Sequence, residues 1–439
     1  MSPRAALRRS AAAIALAVLP LSLAACGGAT PGAATDAGPV SITMLVDGDP
    51  STVAPAEQLA KDFQAENPDV TVVVEKRPGG AEGDEVVRTR LEADSPDVLL
   101  YNSGSLFQQI NPYETLQPLK DSALLAAVDA DYLSQVSVGG QLYGVPLGSA
   151  NAGGVLYNRA VYERLNLQVP ATWEEFLANS QRIREAGITP VIQTYGDPWT
   201  SQLLVLGDFH NVAAADPGFA DAYSRGTGKF ATHAAAGKGF QHLEQIHRLG
   251  LHNDDHATAQ LGDGLRMLAL GEGAHYPMLS AVATAIMGIA PERMGDIGFF
   301  ALPGDDAAAN GATAWYPPGL FIPKATKGAE LEAAQRFLAY VASAEGCESI
   351  SKAATPAGPY LVETCELPSD VPQVTRDVQA YFDSGAHSPA LEFLSPVKGP
   401  DLERFATEAG SGVRSGADAA ALYDADVRAQ AGKLGLEGW

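Results

Sequence analysis

From Ser41 onward, apolar positions switch between a period of two and a period of about 3.6 residues, the spacings of strand and helix. Ser41-Ile42-Thr43-Met44-Leu45-Val46 reads as a strand, and Ala56 to Glu66 as a helix with Leu59 and Phe63 on one face. Val70 to Val74 is a β-branched strand, Glu85 to Ala93 a helix, and Asp97-Val98-Leu99-Leu100-Tyr101 a buried apolar strand. This alternation predicts a parallel sheet covered by helices. Gly139-Gly140, between Val136-Ser137-Val138 and Gln141-Leu142-Tyr143, is the turn signal of a hairpin.

A second run of the same kind starts near Asn151, with Gly153 to Tyr157 as a strand. Thr172-Trp173-Glu174-Glu175 carries the capping-box pattern that opens a helix, and Gly187 stops that helix before the strand Ile188 to Ile192. Residues 200–290 read as mostly helical, the clearest case being Gly239 to Leu249, closed by Gly250. Strands return at Ile297-Gly298-Phe299-Phe300 and Gly319-Leu320-Phe321-Ile322. A helix from Ala329 to Ala342 turns Leu331, Phe337, Leu338 and Val341 inward, and helices separated by Gly/Pro/Ser loops fill the chain from Val371.

The first residues follow a different pattern. Arg4, Arg8 and Arg9 precede an apolar stretch from Ala11 to Leu19, and Leu23-Ala24-Ala25-Cys26 follows. A charged end, a short apolar middle and a small-residue cleavage site make a secretory signal over residues 1–25, too short to span a membrane stably. Cysteine directly after small residues resembles the lipobox of bacterial lipoproteins, which implies that Cys26 is diacylated and becomes the mature N-terminus. Residues 26–39, small, polar and rich in Gly and Pro, are expected to be a flexible tether. The expected location is therefore extracytoplasmic, on the cell membrane through a lipid anchor.

Charge then narrows the partners. The chain of 439 residues has a formal net charge of −23, and loss of the signal segment, which holds three Arg and no acid, leaves 26 basic against 52 acidic side chains. Such a surface repels phosphate backbones, so nucleic acid is excluded as a partner. An oxidising exterior permits Cys347 and Cys365 to pair, two buried free thiols being the alternative.

Motifs of catalysis are missing. The chain has no Gly-x-x-x-x-Gly-Lys-Ser/Thr, His-Glu-x-x-His or Gly-x-Ser-x-Gly. The one provocative cluster is His242, His247, His252, Asp254, Asp255 and His256, residue types that hold zinc. Gly250 ends the helix, however, and Asn253-Asp254-Asp255 is loop chemistry, so a solvated surface is expected, with neither metal nor cofactor.

Six segments in order carry a resemblance. They are Ser95-Pro96-Asp97-Val98-Leu99-Leu100-Tyr101-Asn102-Ser103, Leu142-Tyr143-Gly144-Val145-Pro146 and Leu156-Tyr157-Asn158-Arg159, then Pro170-Ala171-Thr172-Trp173-Glu174-Glu175-Phe176, Leu270-Gly271-Glu272-Gly273-Ala274 and Ala333-Ala334-Gln335-Arg336-Phe337-Leu338. Together they resemble the family-1 extracellular solute-binding proteins, the maltose-binding-protein-like receptors of ABC sugar importers. The resemblance implies an α/β fold of two discontinuous lobes joined by a hinge, with the ligand cleft between them. One lobe is expected from residues 40–147 and 313–357, the other from 148–312 and 358–439, with Tyr143 to Pro146 crossing between them. It also implies a monomeric receptor, not an enzyme, that captures a small carbohydrate and delivers it to the transmembrane subunits of an ABC permease. The rivals are a receptor for a polyamine or polyol phosphate, an extracellular carbohydrate-active enzyme, and a metal-binding receptor, whose melting temperature a chelator would lower.

A sugar presents hydroxyls at its edge and C–H groups on its faces, so its site needs planar polar groups and aromatic platforms at strand ends. Such loops hold Asp49, Tyr101, Asn102, Ser103, Asn151, Asp197, Trp199, Tyr276, Trp315 and Tyr316, the expected ligand-binding set. By resemblance, Asp49, Asn102, Asn151 and Trp199 fall where such receptors contact sugar, whereas Trp173, inside a helix cap, belongs to packing. Many family members carry Gly-x-Trp after the Gly-Glu-x-Ala strand; Tyr276-Pro277-Met278-Leu279 stands here, so stacking is lost or moves to Tyr276 or Trp315. A smaller or different sugar than a maltodextrin is the expected guest.

Overall fold

A computed structural model describes residues 39–93, 95–436 and 438–439. The signal segment, Cys26 and the tether up to residue 38 lie outside the described residues. Strands occur in the order β1 (Val40–Asp47), β2 (Val70–Arg77), β3 (Val98–Tyr101), β4 (Ser137–Val138), β5 (Gln141–Leu142) and β6 (Gly144–Pro146). They continue with β7 (Asn151–Asn158), β8 (Thr189–Val191), β9 (Gly273–Leu279), β10 (Ile297–Ala301), β11 (Ala312–Trp315), β12 (Gly319–Phe321) and β13 (His387–Pro389).

These strands build two separate main sheets. The first has the order β2-β1-β3-β12-β6 and the second β13-β11-β7-β9-β8, with β10 sharing an edge of β7 beside β11. One hydrophobic core surrounds the first sheet, and two more pack on the second, one centred on Phe176, Phe240 and Tyr423, the other on Leu156, Tyr276 and Phe299. The chain is therefore α/β and two-lobed.

In the first sheet the expected parallel pairing holds only for β2, β1 and β3, β12 running antiparallel to both β3 and β6; in the second only β8–β9 and β11–β13 are parallel. The reason is chain direction, because β12 enters the first sheet from the second instead of following a helical crossover. The helical expectation for residues 200–290 also fails at β9, which pairs with β7 over five residues and is almost wholly buried. A run buried on both faces lacks the alternation that marks a half-exposed strand, so apolarity alone did not separate it from a helix. The crossing also shifts: Gly144 to Pro146 is an edge strand of the first sheet, and the chain passes over at Leu147–Ala150.

Local signals act as the sequence implies. Thr172 accepts from the Glu175 amide at 3.2 Å while the Glu175 carboxylate accepts from the amides of Ala171 and Thr172, a reciprocal cap worth about 1 kcal/mol. Gly139-Gly140 joins β4 to β5. Cys347 and Cys365 form a disulfide with Cα atoms 5.9 Å apart, tying the helix Ala344–Ala353 to the loop beyond it.

Three segments connect the sheets side by side. The Leu147 amide donates to the Pro318 carbonyl at 2.9 Å, the Ala150 amide to the Pro359 carbonyl at 2.8 Å, and the Ala357 amide to the Ser149 hydroxyl at 3.0 Å. Few backbone bonds hold this seam compared with either sheet, which makes it the natural place for the two halves to move.

Candidate functional site

Among the described residues, two cavities along the seam open at strand ends, and a third, about 620 Å³, shares Met287, Thr355 and Pro356 with one of them and carries Asp370 and Arg376. The first, about 440 Å³, lies between Asn102, Ser103, Ser105 and Gln109 after β3 and Trp315, Glu392, Phe393, Lys398 and Gln430 from the other lobe. The second, about 520 Å³, lies against the crossings, with Thr52, Asn151, Tyr316, Pro317 and Tyr360 in its walls.

Trp315 is the one tryptophan in the wall of the first. Ending β11, it pairs in register with Asn151, so two expected site residues become cross-strand neighbours. Its ring lies on Gly153, where a β-carbon would come within 2.4 Å of it. Only a residue without a side chain fits there. The Trp315 indole N–H donates to Glu392 Oε2 at 3.1 Å, and Lys398 Nζ donates to Glu392 Oε1 at 2.7 Å. The cavity's one carboxylate is therefore balanced by its one ammonium.

Contacts across the seam fix the opposite wall. Ser105 donates to the Glu392 carbonyl at 2.8 Å, and Ser103, buried, donates to the Pro317 carbonyl at 3.0 Å. Gly104 has φ +70°, and its Cα approaches so near that a β-carbon would meet Phe393 at 2.7 Å. In the second cavity the Tyr316 hydroxyl and Asn151 Oδ1 are buried with no hydrogen-bond partner among the described residues. Burial, and then the carboxylates of Asp131 and Asp129, push the Tyr316 phenol above its ordinary range, so it stays a neutral donor.

The structure thus brings Asn102, Ser103 and Trp315 into the first cavity and Asn151 and Tyr316 into the second. Asp49 lies just before Ser51 and Thr52 of the second cavity's wall; exposed, it caps the helix Pro50–Glu66, accepting from the Ser51 amide at 2.8 Å and hydroxyl at 2.6 Å. Those bonds, the hydroxyl first, hold its carboxyl below the usual range. Trp199 lies in the turn Pro198–Gln202 and Asp197 just before it, both half-buried, and neither lines these cavities; Asp197 accepts from the Leu261 amide at 2.7 Å. Tyr101 and Tyr276 are interior, each 1% exposed, their hydroxyls bound to Asp84 and Thr194. Trp173 is packing, as expected, stacked 3.6 Å from His242, whose pKa burial lowers to about 3.

Sequence reasoning missed Glu392, Phe393 and Lys398. Their signal was faint: two opposite charges six residues apart in the Pro- and Ser-containing stretch Glu392-Phe393-Leu394-Ser395-Pro396-Val397-Lys398. A further cavity of about 470 Å³, remote from the seam, is walled by Asp208, Asn211, Lys238, His242 and Asp305 of the second lobe.

A two-lobed α/β chain with a polar and aromatic seam is the architecture of a solute receptor. Residues 49–346 match the family described as bacterial extracellular solute-binding protein, and the chain belongs to that family. A multiple sugar-binding protein of Streptococcus mutans serotype c (strain ATCC 700610 / UA159) is 30% identical over 162 residues, 36% of this chain and 36% of that protein. The chain thus matches about a third of the length of that relative. Among solved structures, apo RafE from Streptococcus pneumoniae is similar with TM-score 0.75 at 22% identity, over 90% of this chain and 98% of that one. RafE in complex with raffinose gives TM-score 0.72 at 22% identity, over 89% and 99%. At such identity the likeness is one of fold.

Proposed function

We propose that this chain is the substrate-binding receptor of an ABC importer and that its ligand is a neutral mono- or oligosaccharide held in the seam. The observation that carries this reading is charge: a chain with 52 acidic residues has one acid, Glu392, and one base, Lys398, in its first seam cavity and no charged residue in the second. A polyamine needs several unpaired carboxylates and a phosphate needs unpaired cations, whereas Asn102, Gln109 and Gln430 offer neutral donors and acceptors alongside Trp315 in the first cavity, and Asn151 and Tyr316 do so in the second. The names of the relatives, a multiple sugar-binding protein and a raffinose-bound receptor, support the same class.

In this reading the lobes are residues 40–147 with 313–357 and 148–312 with 358–439, corrected at the 313 boundary because β11 pairs Thr313–Trp315 into the second sheet; they close about the three crossings, and the closed form is what the permease's transmembrane subunits receive. The receptor does no chemistry, works as a monomer, and is held outside the cytoplasmic membrane by a lipid on Cys26; Asp49, Trp199 and Asp197 are edge contacts to a longer guest. The test is a thermal-shift screen of neutral saccharides, polyamines and polyol phosphates, since a ligand that binds only the folded form raises the melting temperature. A saccharide shift supports the reading. A shift by polyamine or phosphate alone, or turnover of a labelled glycan, overturns it.

A further inference from the structure

We infer that His247, His252 and His256 form a binding site for a divalent transition-metal ion, with zinc the expected occupant. Each offers one imidazole nitrogen, and these three atoms lie within 4.8 Å of one another. His247 Nδ1 is 3.1 Å from His252 Nε2, and the rings of His252 and His256 have centroids 3.9 Å apart. Zinc–imidazole bonds of about 2.0–2.1 Å in a tetrahedron put neighbouring nitrogens roughly 3.3 Å apart, so the His247–His252 pair already has the required spacing and the His256 nitrogen lies within 4.8 Å of both.

The cluster does not need the continuous helix whose absence argued against it in the sequence. The helix Lys238–Arg248 ends at its C-cap Leu249, Gly250 reverses the chain at φ +60°, and His252 returns beside Val191. A turn then sets the His256 amide on the Asn253 carbonyl at 3.2 Å, which brings His256 over His252. All three imidazoles are half-buried. They are not the solvated surface that loop chemistry alone suggested.

A second shell orients the donors. The Asn253 carbonyl lies 3.1 Å from His252 Nδ1 and 3.0 Å from His256 Nδ1. Only a protonated Nδ1 bonds a carbonyl, so this arrangement assigns the hydrogen to Nδ1 of both rings and makes Nε2 the donor atom of each; the His252 Nε2 lone pair accepts from His247 Nδ1, and a metal ion would displace that proton to solvent. Asn253 is itself fixed, since its side chain accepts from the Gln193 amide at 2.8 Å and donates to the Gln193 carbonyl at 3.0 Å. The Nε2 edge of His247 faces Gly412, where a β-carbon would come within 2.3 Å, which turns His247 Nδ1 toward the other two. An all-imidazole set favours zinc, copper, nickel or cobalt over magnesium or calcium, and it leaves a fourth position for water.

The three histidines line neither seam cavity, so this site stands or falls apart from the sugar reading. A bound ion would instead brace the turn that carries Trp199, because the Tyr195 amide donates to the His256 carbonyl at 2.8 Å and the Gly196 amide to the Ala259 carbonyl at 2.9 Å. The test is calorimetric titration of the chelator-stripped chain with zinc chloride, alongside cobalt(II) spectroscopy. Expected are one equivalent of zinc, the intense visible bands of four-coordinate cobalt, and affinity at least tenfold weaker in His252→Gln and in His256→Gln, each checked for folding by circular dichroism. No zinc binding at micromolar concentrations, a six-coordinate cobalt spectrum in the parent chain, or folded variants that bind as the parent does would each overturn the site.

Discussion

Asp208 offers a sharp quantitative test of the packing of the second lobe. It is 2% exposed; Oδ1 accepts from Asn211 Nδ2 at 2.7 Å, and Oδ2 is buried without a hydrogen-bond partner among the described residues. Burial pushes its pKa from 3.8 to about 8, the Asn211 bond and Lys238 opposing and Asp305 reinforcing. Between those values the folded chain keeps a proton that the unfolded chain has released. Stability must therefore fall as pH rises, by about 1.4 kcal/mol per unit from this group alone. Below the unfolded value both states are protonated and the effect vanishes; above the folded value both are ionised and the full cost of a buried charge applies.

Asp208→Asn removes the charge and keeps an acceptor for Asn211. The gap in unfolding free energy between variant and parent should open from near zero at about pH 4 to roughly 3–5 kcal/mol in the variant's favour at about pH 8. Urea unfolding followed by tryptophan fluorescence at stepped pH reads that gap directly, since other titrating groups cancel in the difference. A gap that stays constant with pH would refute the buried, protonated carboxyl.

Other expectations concern the seam and its supports. Trp315→Ala removes the aromatic wall of the first cavity and should weaken sugar binding at least tenfold, about 1.4 kcal/mol, in titration calorimetry, with an unchanged circular dichroism spectrum. Gly104→Ala forces an L-residue to φ +70° against Phe393, so it should cost about 1–2 kcal/mol of stability from the backbone alone and also reduce affinity; unchanged affinity would show that Phe393 does not set the cavity wall. Replacing both Cys347 and Cys365 by Ala opens a loop of sequence separation 18, for which chain entropy gives about 3 kcal/mol, measurable as an earlier urea midpoint. A midpoint unmoved by reductant in the parent would contradict the bridge's contribution.

How legible the molecule was in its sequence varied with the range of the interactions. The cap at Thr172, the Gly139-Gly140 hairpin and the buried strand ending at Tyr101 depend on neighbours a few residues away, and each was readable. β9 was lost because burial on both faces erases periodicity. The antiparallel β12 follows from a chain path that returns through Tyr316–Pro318, which no local pattern encodes. At the site, Asn102 and Trp315 could be proposed from their places at strand ends, but Glu392 and Lys398 meet them only through a fold that joins positions 77 residues apart. Likewise Tyr276 looked like a platform and is a core residue, since apolar neighbours do not reveal which face of a strand a ring takes.

The most direct trial of the central claim is a crystal structure of the chain with the saccharide that gives the largest thermal shift. The account predicts the sugar between Asn102 and Trp315, a ring face on the indole, and hydroxyls meeting Glu392, Asn151 or Tyr316, with the two sheets brought together around it. A sugar bound outside the seam, or within it while Trp315 and Asn102 stay untouched, would contradict the account.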